Sequence, residues 1–518
     1  MYSQSRQSSL SMAASSAVAL SLALFTPSAR ADPLFARDGA FASDTVVELA
    51  RDLARKPYAA PKAPLPEVLA RADYDAYRDI RSNPAATLWL RDRTQFRAQV
   101  MSRGFLFVDV VEVALVADGV AHHLPYTPDQ FTTGQVMKDP LPKEDIGFSG
   151  FRVLSPINQQ ALFDEVTVFQ GASYFRAVAA KECYGLSARG LAYKTGEPEG
   201  EEFPAFRAFW IEEPSRGSRL LRVRALLDSP SVSGAYSFSI HPGSVTTMEV
   251  EGVLFPRTTL TKVGLAPMTS MYLFSPNGRR EADDYRPEVH DSDGLLIFNG
   301  HNEHLWRPLS NPKQLEVSGF LDSNPRGFGL LQRNRNPADY QDFEAQYERR
   351  PSLWAEPTGE WGDGAIVLTE IPSDAEIHDN VVAFWRPKEP IPAGKEYRLS
   401  YRLTWGDVPK SPQTQARVVG TRRGRADVKA PTPIRRFIVD YAFPQPLSRL
   451  PLKSPTANVS SSAGRIADVV VSDNPLTGGP RLSFAFDPKD AKSAELRAEL
   501  SFADERTAET WVYRWTPP

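Results

Sequence analysis

Short β-type runs, repeated from about residue 95 to the C-terminus, limit this chain to a narrow set of folds. Each run alternates apolar and polar residues or is rich in β-branched and aromatic residues, and most runs end at Gly, Pro, Asn or Asp, as antiparallel strands do. The runs before residue 406 are Phe105 to Ala117, Thr167 to Phe169, Leu220 to Leu226, Val245 to Phe255, Ala365 to Thr369, Val381 to Trp385 and Tyr397 to Trp405. Few helical windows and no βαβ alternation interrupt them, so we predict an all-β protein with a large β-sandwich.

One amphipathic helix is predicted ahead of the strands. The apolar residues at helical spacing are Val46, Leu49, Ala50 and Leu53. The helix is expected to lie between Ser43 and Lys56, with Thr45 and Glu48 as a capping box and Pro57 closing the segment.

A change of composition after Trp405 predicts two domains. Residues 406–415 carry Gly, Pro and polar residues without a hydrophobic pattern, which indicates a linker between residues 32–405 and residues 416–518. The strand-like runs in the second part are Arg417 to Gly420, Arg435 to Phe443, Ile466 to Val471, Arg481 to Phe486, Leu496 to Phe502 and Trp511 to Trp515. Their number and spacing predict a small Ig-like sandwich that lacks the cysteine pair of antibody domains.

The N-terminus resembles a secretory signal peptide. A 14-residue apolar run, Met12 to Phe25, precedes Ala29-Arg30-Ala31, so we expect residues 1–31 to be removed by cleavage after Ala31. No segment reaches the roughly 20 apolar residues that span a bilayer, so no membrane insertion is expected. The single cysteine, Cys183, cannot form an internal disulfide. A large exported chain of this kind fits the bacterial periplasm.

Charge and motif searches exclude several classes of function. The 60 Lys and Arg residues nearly balance the 63 Asp and Glu residues, which leaves no basic field for nucleic acid. We find no Walker loop, dinucleotide fingerprint or zinc spacing, and His301-x-x-His304 is too little for a metal site. We therefore expect no cofactor and no metal.

Carboxylates and tryptophans concentrate between residues 285 and 405, where five of the nine Trp residues lie. Sugars place apolar C–H faces on aromatic rings and hydroxyl groups on charged side chains, although a sandwich core would give the same composition. The segment Tyr285 to Gly294 packs Glu288, His290, Asp291 and Asp293 together. A solvated turn or a fragment of a calcium loop are the alternatives for this segment.

A second acidic segment lies at 370–381, where Glu376 and Asp379 precede an apolar strand. A carboxyl group at the mouth of such a strand can lose water, which favours its protonated form and suits a general acid. Glycoside hydrolysis requires two separated carboxyl groups, one protonated and one ionised. His290 and His378 are interpreted as groups that support the acids or contact substrate rather than as bases.

A set of long motifs resembles the periplasmic glucan biosynthesis protein G and D family. The motifs are Gly171 to Arg176, Tyr184 to Leu191, Gly200 to Pro204, Ala225 to Pro230, Arg286 to Asp291, Trp306 to Leu309, Asn324 to Leu330 and Arg349 to Trp354. The resemblance implies a large galactose-mutarotase-like sandwich followed by a small Ig-like one. It also implies action in the periplasm on osmoregulated glucans with β-1,2-linked backbones, by members similar to inverting endo-β-1,2-glucanases. The leader carries Arg6 alone rather than a twin arginine, which favours the G type.

The same resemblance implies the roles of two acids: Asp379 as general acid and Asp291 as general base. The chemistry and position of their segments add candidate sugar contacts at Tyr347, Arg349, Glu376, Trp306, Trp361 and His290. Two alternatives stay open: a transglycosylase that uses the same site, and a non-catalytic glucan-binding partner of the inner-membrane glucan synthase. The sequence predicts no oligomeric state.

Overall fold

A computed structural model describes residues 33–61, 64–279, 283–410, 412–427, 429, 432–444 and 455–517. The predicted signal peptide, with its cleavage site after Ala31, lies outside the described residues. In these ranges the chain is all-β, with a few short helices. No described helix is both long and apolar enough to cross a membrane.

The helices are short and lie mostly before the first long strands. They are α1 (Thr45–Ala54), α2 (Glu67–Ala70), α3 (Tyr74–Asp79) and α4 (Pro337–Tyr340), with 3-10 turns at Pro84–Ala86, Pro128–Gln130 and Tyr347–Arg349. The predicted α1 is present, but the predicted capping box is not. The N-cap residue is Asp44 rather than Thr45, and its side chain makes no capping bond. The two side chains of the predicted box have other partners: the Thr45 hydroxyl accepts the Ala42 N–H, and Glu48 pairs with Arg51.

Twenty-six strands of the described residues precede residue 407. They are β1 (Gly39–Ala40), β2 (Ile80–Ser82), β3 (Arg97–Met101), β4 (Glu112–Ala117), β5 (Val120–His123), β6 (Phe131–Thr133), β7 (Gly150–Gln159), β8 (Leu162–Gln170), β9 (Tyr174–Ala177), β10 (Ser187–Arg189), β11 (Ala192–Tyr193), β12 (Ala205–Glu212), β13 (Leu221–Asp228), β14 (Val232–His241), β15 (Thr246–Pro256), β16 (Val263–Ser270), β17 (Tyr272–Phe274), β18 (Val289–His290), β19 (Gly294–Phe298), β20 (His304–Pro308), β21 (Glu316–Ser323), β22 (Gly327–Leu331), β23 (Ser352–Pro357), β24 (Asp363–Glu370), β25 (Val381–Pro387) and β26 (Tyr397–Gly406).

The remaining strands form the C-terminal part. They are β27 (Gln415–Arg425), β28 (Arg435–Ala442), β29 (Thr456–Ser461), β30 (Arg465–Asn474), β31 (Gly479–Asp487), β32 (Ala494–Ser501), β33 (Thr507–Ala508) and β34 (Thr510–Trp515). The sequence runs match these strands within a few residues, with one exception. The run from Phe105 to Ala117 becomes a strand only at Glu112, because Phe105 has a positive φ and its ring packs on Tyr77.

Two large sheets face each other and enclose the main core. The first has the order β1-β5-β4-β12-β13-β14-β15-β26-β23-β22-β19-β20-β34-β32-β29, and the second β21-β24-β25-β16-β10-β9-β8-β7-β3, with β11 also on β16. Phenylalanine rings join them: Phe151 lies 5.0 Å from Phe209, and Phe169 lies 5.1 Å from Phe238, between ring centroids. Each such edge-to-face pair contributes about 1 kcal/mol beyond the area it buries.

The C-terminal strands are joined to the first sheet rather than held apart from it. Strands β30-β31-β28-β27-β33 form one sheet, and β29, β32 and β34 form the other, in which β34 pairs in parallel with β20. Residues 406–415 connect β26 to β27, overlapping each by one residue. Because the ladder continues across this connection, the division into independent domains stays a prediction.

Candidate active site

Asp291 and Asp379 meet beside the end of β16, although 88 positions separate them in sequence. The Asp291 N–H donates to the Met271 carbonyl at 2.8 Å, just after β16. The Thr269 hydroxyl, on β16 itself, approaches Asp379 Oδ2 at 3.5 Å. The two carboxyl groups interact electrostatically, since the charge of Asp379 is one of the influences that raise the pKa of Asp291.

Asp291 is a buried carboxyl group with one cationic partner. Its exposed fraction is 4%, and burial is the main cause that raises its pKa to about 6. Arg350 Nη1 donates a hydrogen bond to Asp291 Oδ1, and its charge opposes the rise. A carboxylate in this state is ionised at neutral pH and still basic enough to accept a proton.

Asp379 is exposed, and its neighbour Asn380 fixes its position. The Asn380 side chain accepts the Tyr272 N–H at 2.8 Å and donates to the carbonyls of Tyr272 and Ile371, each at 3.0 Å. The Ile371 N–H in turn bonds the Asn380 carbonyl at 2.8 Å. These bonds close the base of the loop formed by residues 371–380, which we call the acid loop.

Glu376 ties the acid loop to the segment that carries Arg350. The Tyr347 hydroxyl donates to Glu376 Oε2 at 2.9 Å, and Arg286 Nη1 donates to the same oxygen at 2.7 Å. Arg350 lies over the Tyr347 ring, with its guanidinium carbon 4.3 Å from the centroid. A continuous chain of contacts therefore runs from Asp291 through Arg350, Tyr347 and Glu376 to the acid loop.

The other predicted sugar contacts lie around or away from this pair. Arg349 is exposed and donates to the Lys181 carbonyl at 3.1 Å and to Gln346 Oε1 at 2.6 Å. Trp361 is half-buried beside Trp385 and bonds the Ser400 carbonyl at 3.3 Å. Neither side chain contacts Asp291 or Asp379.

Trp306 and His290 are enclosed by protein. Trp306 is 4% exposed and lies under the Arg333 guanidinium, at 3.6 Å, where the C-terminal strands join the first sheet. His290 is fully buried, with ring nitrogens 2.9 Å from Glu288 Oε2 and 2.9 Å from Gln332 Oε1. The His290 ring is enclosed by protein in this arrangement and supports the segment of Asp291, and contact of His290 with substrate stays a prediction.

Several residues of the site were not singled out from the sequence. Arg350 binds Asp291, and Tyr174 lies close enough to Asp379 for that charge to add to the burial that raises the pKa of Tyr174. The Arg189 guanidinium lies 4.9 Å from the Tyr174 ring centroid. The available signal was the motifs themselves, because Gly171 to Arg176, Tyr184 to Leu191 and Arg349 to Trp354 contain these three residues.

Among the described residues, no group of three or more His, Cys, Asp or Glu side chains is placed to hold a metal ion.

Comparison with known proteins gives a consistent family. The model of the family described as "Periplasmic glucan biosynthesis protein, MdoG" matches residues 41–515. "Glucans biosynthesis protein G" of Vibrio cholerae is 58% identical over 482 residues, which cover 93% of this chain and 88% of that protein. "Glucans biosynthesis protein G 1" of Shewanella oneidensis is 56% identical, with the same coverage of each chain.

Similarity to solved structures is weak. A GH36 α-galactosidase of Geobacillus stearothermophilus is 7% identical, with a TM-score of 0.25 over 50% of this chain and 40% of that one. Such a score carries no inference about fold or activity. The family match over almost the whole described chain and the identities of 56–58% are sufficient to assign the chain to a family. This chain belongs to the periplasmic glucan biosynthesis protein (MdoG) family.

Proposed function

We propose that this protein hydrolyses β-1,2-linked glucan chains in the periplasm with inversion at the anomeric carbon, after its leader is cleaved behind Ala31. Asp379 is the general acid and Asp291 the general base. The observation that carries the proposal is the pairing of two interacting carboxyl groups, one exposed and the other buried with a pKa of about 6. Hydrolysis of a glycosidic bond needs two carboxyl groups in different states of protonation.

In the proposed reaction, Asp379 gives its proton to the glycosidic oxygen while the bond from that oxygen to C1 breaks. A sugar covering Asp379 excludes water from the carboxyl group, and loss of water favours the protonated form. A water molecule attacks C1 from the opposite face, and Asp291 accepts the proton that this water loses, directly or through intervening waters. Asp379 ends ionised and Asp291 protonated, and exchange with solvent restores both.

Arg350 and Glu376 position the two acids in this scheme. Arg350 keeps Asp291 ionised at neutral pH by opposing the effect of burial. Glu376 holds the acid loop through Tyr347 and Arg286. Glu376 is 40% exposed and Arg349 is exposed, so these two remain the side chains best placed to meet sugar hydroxyl groups.

The test is the release of reducing ends from purified linear β-1,2-glucan. We expect the unmodified protein to release them and Asp379→Asn to lose activity by about 10²- to 10⁴-fold, the usual contribution of a general acid. The melting temperature should change little, because Asp379 is exposed. Asp139→Asn is a matched control, since Asp139 is exposed and has no ion pair among the described residues.

Product analysis separates the alternatives. NMR of the first products should show the α-anomer at the new reducing end, as inversion of a β-linkage requires. Chains that change in length by mass spectrometry without new reducing ends would replace hydrolysis by transglycosylation. Binding of glucan with no change in chain length would contradict a catalytic role. Full activity of Asp379→Asn would contradict the assignment of the acid.

A further inference from the structure

Strands β27 and β28 each carry a pair of neighbouring arginines, Arg422-Arg423 and Arg435-Arg436. In each pair, the two side chains lie on opposite faces of the sheet. Arg425 lies directly opposite Arg435 in the ladder, and Arg423 lies opposite Phe437, whose ring is in the core. Residues that face each other across an antiparallel pair share a face, and successive residues alternate. Arg423, Arg425 and Arg435 therefore share the inner face with Phe437, whereas their sequence neighbours lie on the outer face.

The outer-face arginines have acidic partners. Arg422 Nη1 lies 2.6 Å from Asp440 Oδ2, and Arg436 Nη2 lies 3.5 Å from Asp468 Oδ2. These pairs are the ordinary neutralisation of a strand surface.

The inner-face arginines have no acidic partner among the described residues. Arg435 donates only to the backbone carbonyls of Thr432 and Ile434, at 2.9 and 3.4 Å. Arg423 approaches the face of Tyr513, with its guanidinium carbon 5.8 Å from the ring centroid. Burial, and then the charges of Arg423 and Arg425, lower the pKa of Arg435. Like charges directly opposite in a sheet are destabilising, so the fold alone gives no reason for this arrangement.

These three arginines line a cavity of about 1000 Å³ between the C-terminal sheet and the larger part of the protein. We call it the arginine pocket. Among the described residues, its wall contains six basic side chains and three acidic ones. The basic side chains are Arg279, Lys313, Arg423, Arg425, Arg435 and Arg514, and the acidic ones are Asp283, Asp284 and Asp374. Asp284 is already bound by Arg286 at 2.8 Å, and Arg514 lies 3.6 Å from Glu316 and 3.8 Å from Glu495. The other basic side chains of this wall still outnumber Asp283 and Asp374.

The arginine pocket shares a wall with the acid loop. Ser373 and Asp374 line the pocket, and Asp379 follows in the same loop. Asn311 fixes this wall: its side chain accepts the Ser373 N–H at 3.0 Å and donates to the Ser373 carbonyl at 2.7 Å. The acid loop therefore links Asp379 to the pocket, and a sugar chain that crosses Asp379 would have to run along this loop to reach the arginines.

We propose that the arginine pocket binds acidic groups, of the phosphate or carboxylate type, carried on the glucan chain whose backbone lies across Asp379. The glucan part of this inference rests on the proposed function. A neutral sugar has no charge to compensate three unpaired guanidinium groups, whereas anionic groups would form charge-assisted, bidentate hydrogen bonds with them. An acidic protein segment is the competing occupant. The shared wall with the acid loop favours the sugar chain.

The test compares two double variants that remove equal charge from adjacent positions. Arg423→Gln with Arg435→Gln changes the inner face, and Arg422→Gln with Arg436→Gln changes the outer face. Binding is measured by calorimetry on the full mature chain carrying Asp379→Asn, so that chains are not cut. The probes are linear β-1,2-glucan, the same glucan chemically succinylated to carry carboxylates, free succinate, inorganic phosphate, and polyglutamate.

We expect the parent to bind succinylated glucan at least about tenfold more tightly than neutral glucan at low salt, an advantage that salt reduces. The inner-face variant should lose this advantage and keep its affinity for neutral glucan, while the outer-face variant keeps both. The melting temperature of the inner-face variant should not fall, because a like-charge pair is relieved. Free succinate and inorganic phosphate should compete weakly with succinylated glucan for the parent, because the pocket is proposed to bind the anionic group itself.

Four results would overturn the inference. Equal affinity of the parent for both glucans would show that the pocket does not read charge on the chain. If the inner-face and outer-face variants lost equal affinity for succinylated glucan, the preference would come from the net charge of the protein and not from the arginine pocket. Tight binding of polyglutamate that depends on Arg423 and Arg435, without any preference for succinylated glucan, would assign the pocket to an acidic protein. Failure of the parent to bind either glucan would refute the proposed function as well.

Discussion

At the scale of single residues, the proposed chemistry depends on how Asp291 is buried. Removal from water raises its pKa to about 6, whereas the hydrogen bond from Arg350 favours the ionised form. The balance leaves a base that is ionised at neutral pH but lies close to its point of protonation. Both effects can be tested through the pH dependence of glucan cleavage.

The acid limb of the pH profile should report Asp291. Because the base must be ionised, and because Asp379 in this scheme is protonated once sugar covers it, we expect kcat to fall about tenfold for each pH unit below a midpoint of about 6. The measurement is the initial rate of reducing-end release at saturating glucan, across pH 4 to 8. An acid limb centred near pH 4, the ordinary range of an exposed carboxyl group, would contradict the assignment.

Removing Arg350 should move that limb to higher pH. Arg350→Gln takes away the charge that lowers the pKa of Asp291, so protonation should begin at a higher pH. The same profile measured on Arg349→Gln is the control. Arg349 donates to Lys181 and Gln346 instead of Asp291, so its loss should leave the midpoint in place whatever it does to KM. A lower rate for Arg350→Gln without a shifted midpoint would reduce Arg350 to a structural role.

At the scale of elements, the acid loop is held at two points. Its base is closed by the Asn380 side chain, and its middle is held by Glu376 through Tyr347 and Arg286. Asp379 lies between these two points on an otherwise exposed loop. The position of the acid therefore depends on contacts with residues from other parts of the chain.

Loss of the middle contact should slow the reaction while the fold remains intact. For Glu376→Gln we expect kcat to fall by about tenfold or more, since small displacements of a catalytic group are costly. Amide hydrogen exchange in residues 371–379 should become faster, with little change in melting temperature. Glu389→Gln is the control, because Glu389 is exposed and has no ion pair within the described chain. Faster exchange with unchanged kcat would contradict a positioning role for Glu376.

At the scale of the whole molecule, the C-terminal strands and the larger part share one sheet and several ion pairs, of which the pair between Arg333 and Glu509 is buried. Arg333 binds both oxygens of Glu509 at 2.7 Å, and the exposed fractions of these side chains are 8% and 1%. Glu509 also accepts the Val418 N–H at 2.8 Å. Trp306 lies beneath Arg333 in the same junction. We therefore expect the two parts to unfold together.

Breaking this pair should destabilise the entire chain. Glu509→Gln leaves the Arg333 charge buried without its partner, so we expect the free energy of unfolding to fall by about 3 kcal/mol. Scanning calorimetry should show a single transition for both proteins, shifted down in the variant. Glu505→Gln, at an exposed residue without an ion pair in the described ranges, should leave the transition unchanged. Two transitions, of which only one moves, would show that the C-terminal part unfolds independently.

The sequence alone was enough to identify the all-β class, both acidic segments and part of the strands, whereas long strands such as β7, β12 and β14 were not predicted. Runs such as Val381 to Trp385 and Tyr397 to Trp405 are local patterns, because the period of two and the turn residues that bound a strand lie within a few positions of each other. The family resemblance added the roles proposed for Asp291 and Asp379, since motif residues can be matched position by position.

Only the tertiary structure decided what surrounds those residues. Arg350 reaches Asp291 across 59 positions, and the ring of His290, one residue from Asp291, is fully buried between Glu288 and Gln332. The tertiary structure also distinguished Arg422 from Arg423. These two residues are of the same type and adjacent in sequence, but they lie on opposite faces of β27. Burial, charge pairing and the facing of a side chain depend on contacts between distant segments, and no local pattern of residue types carries that information.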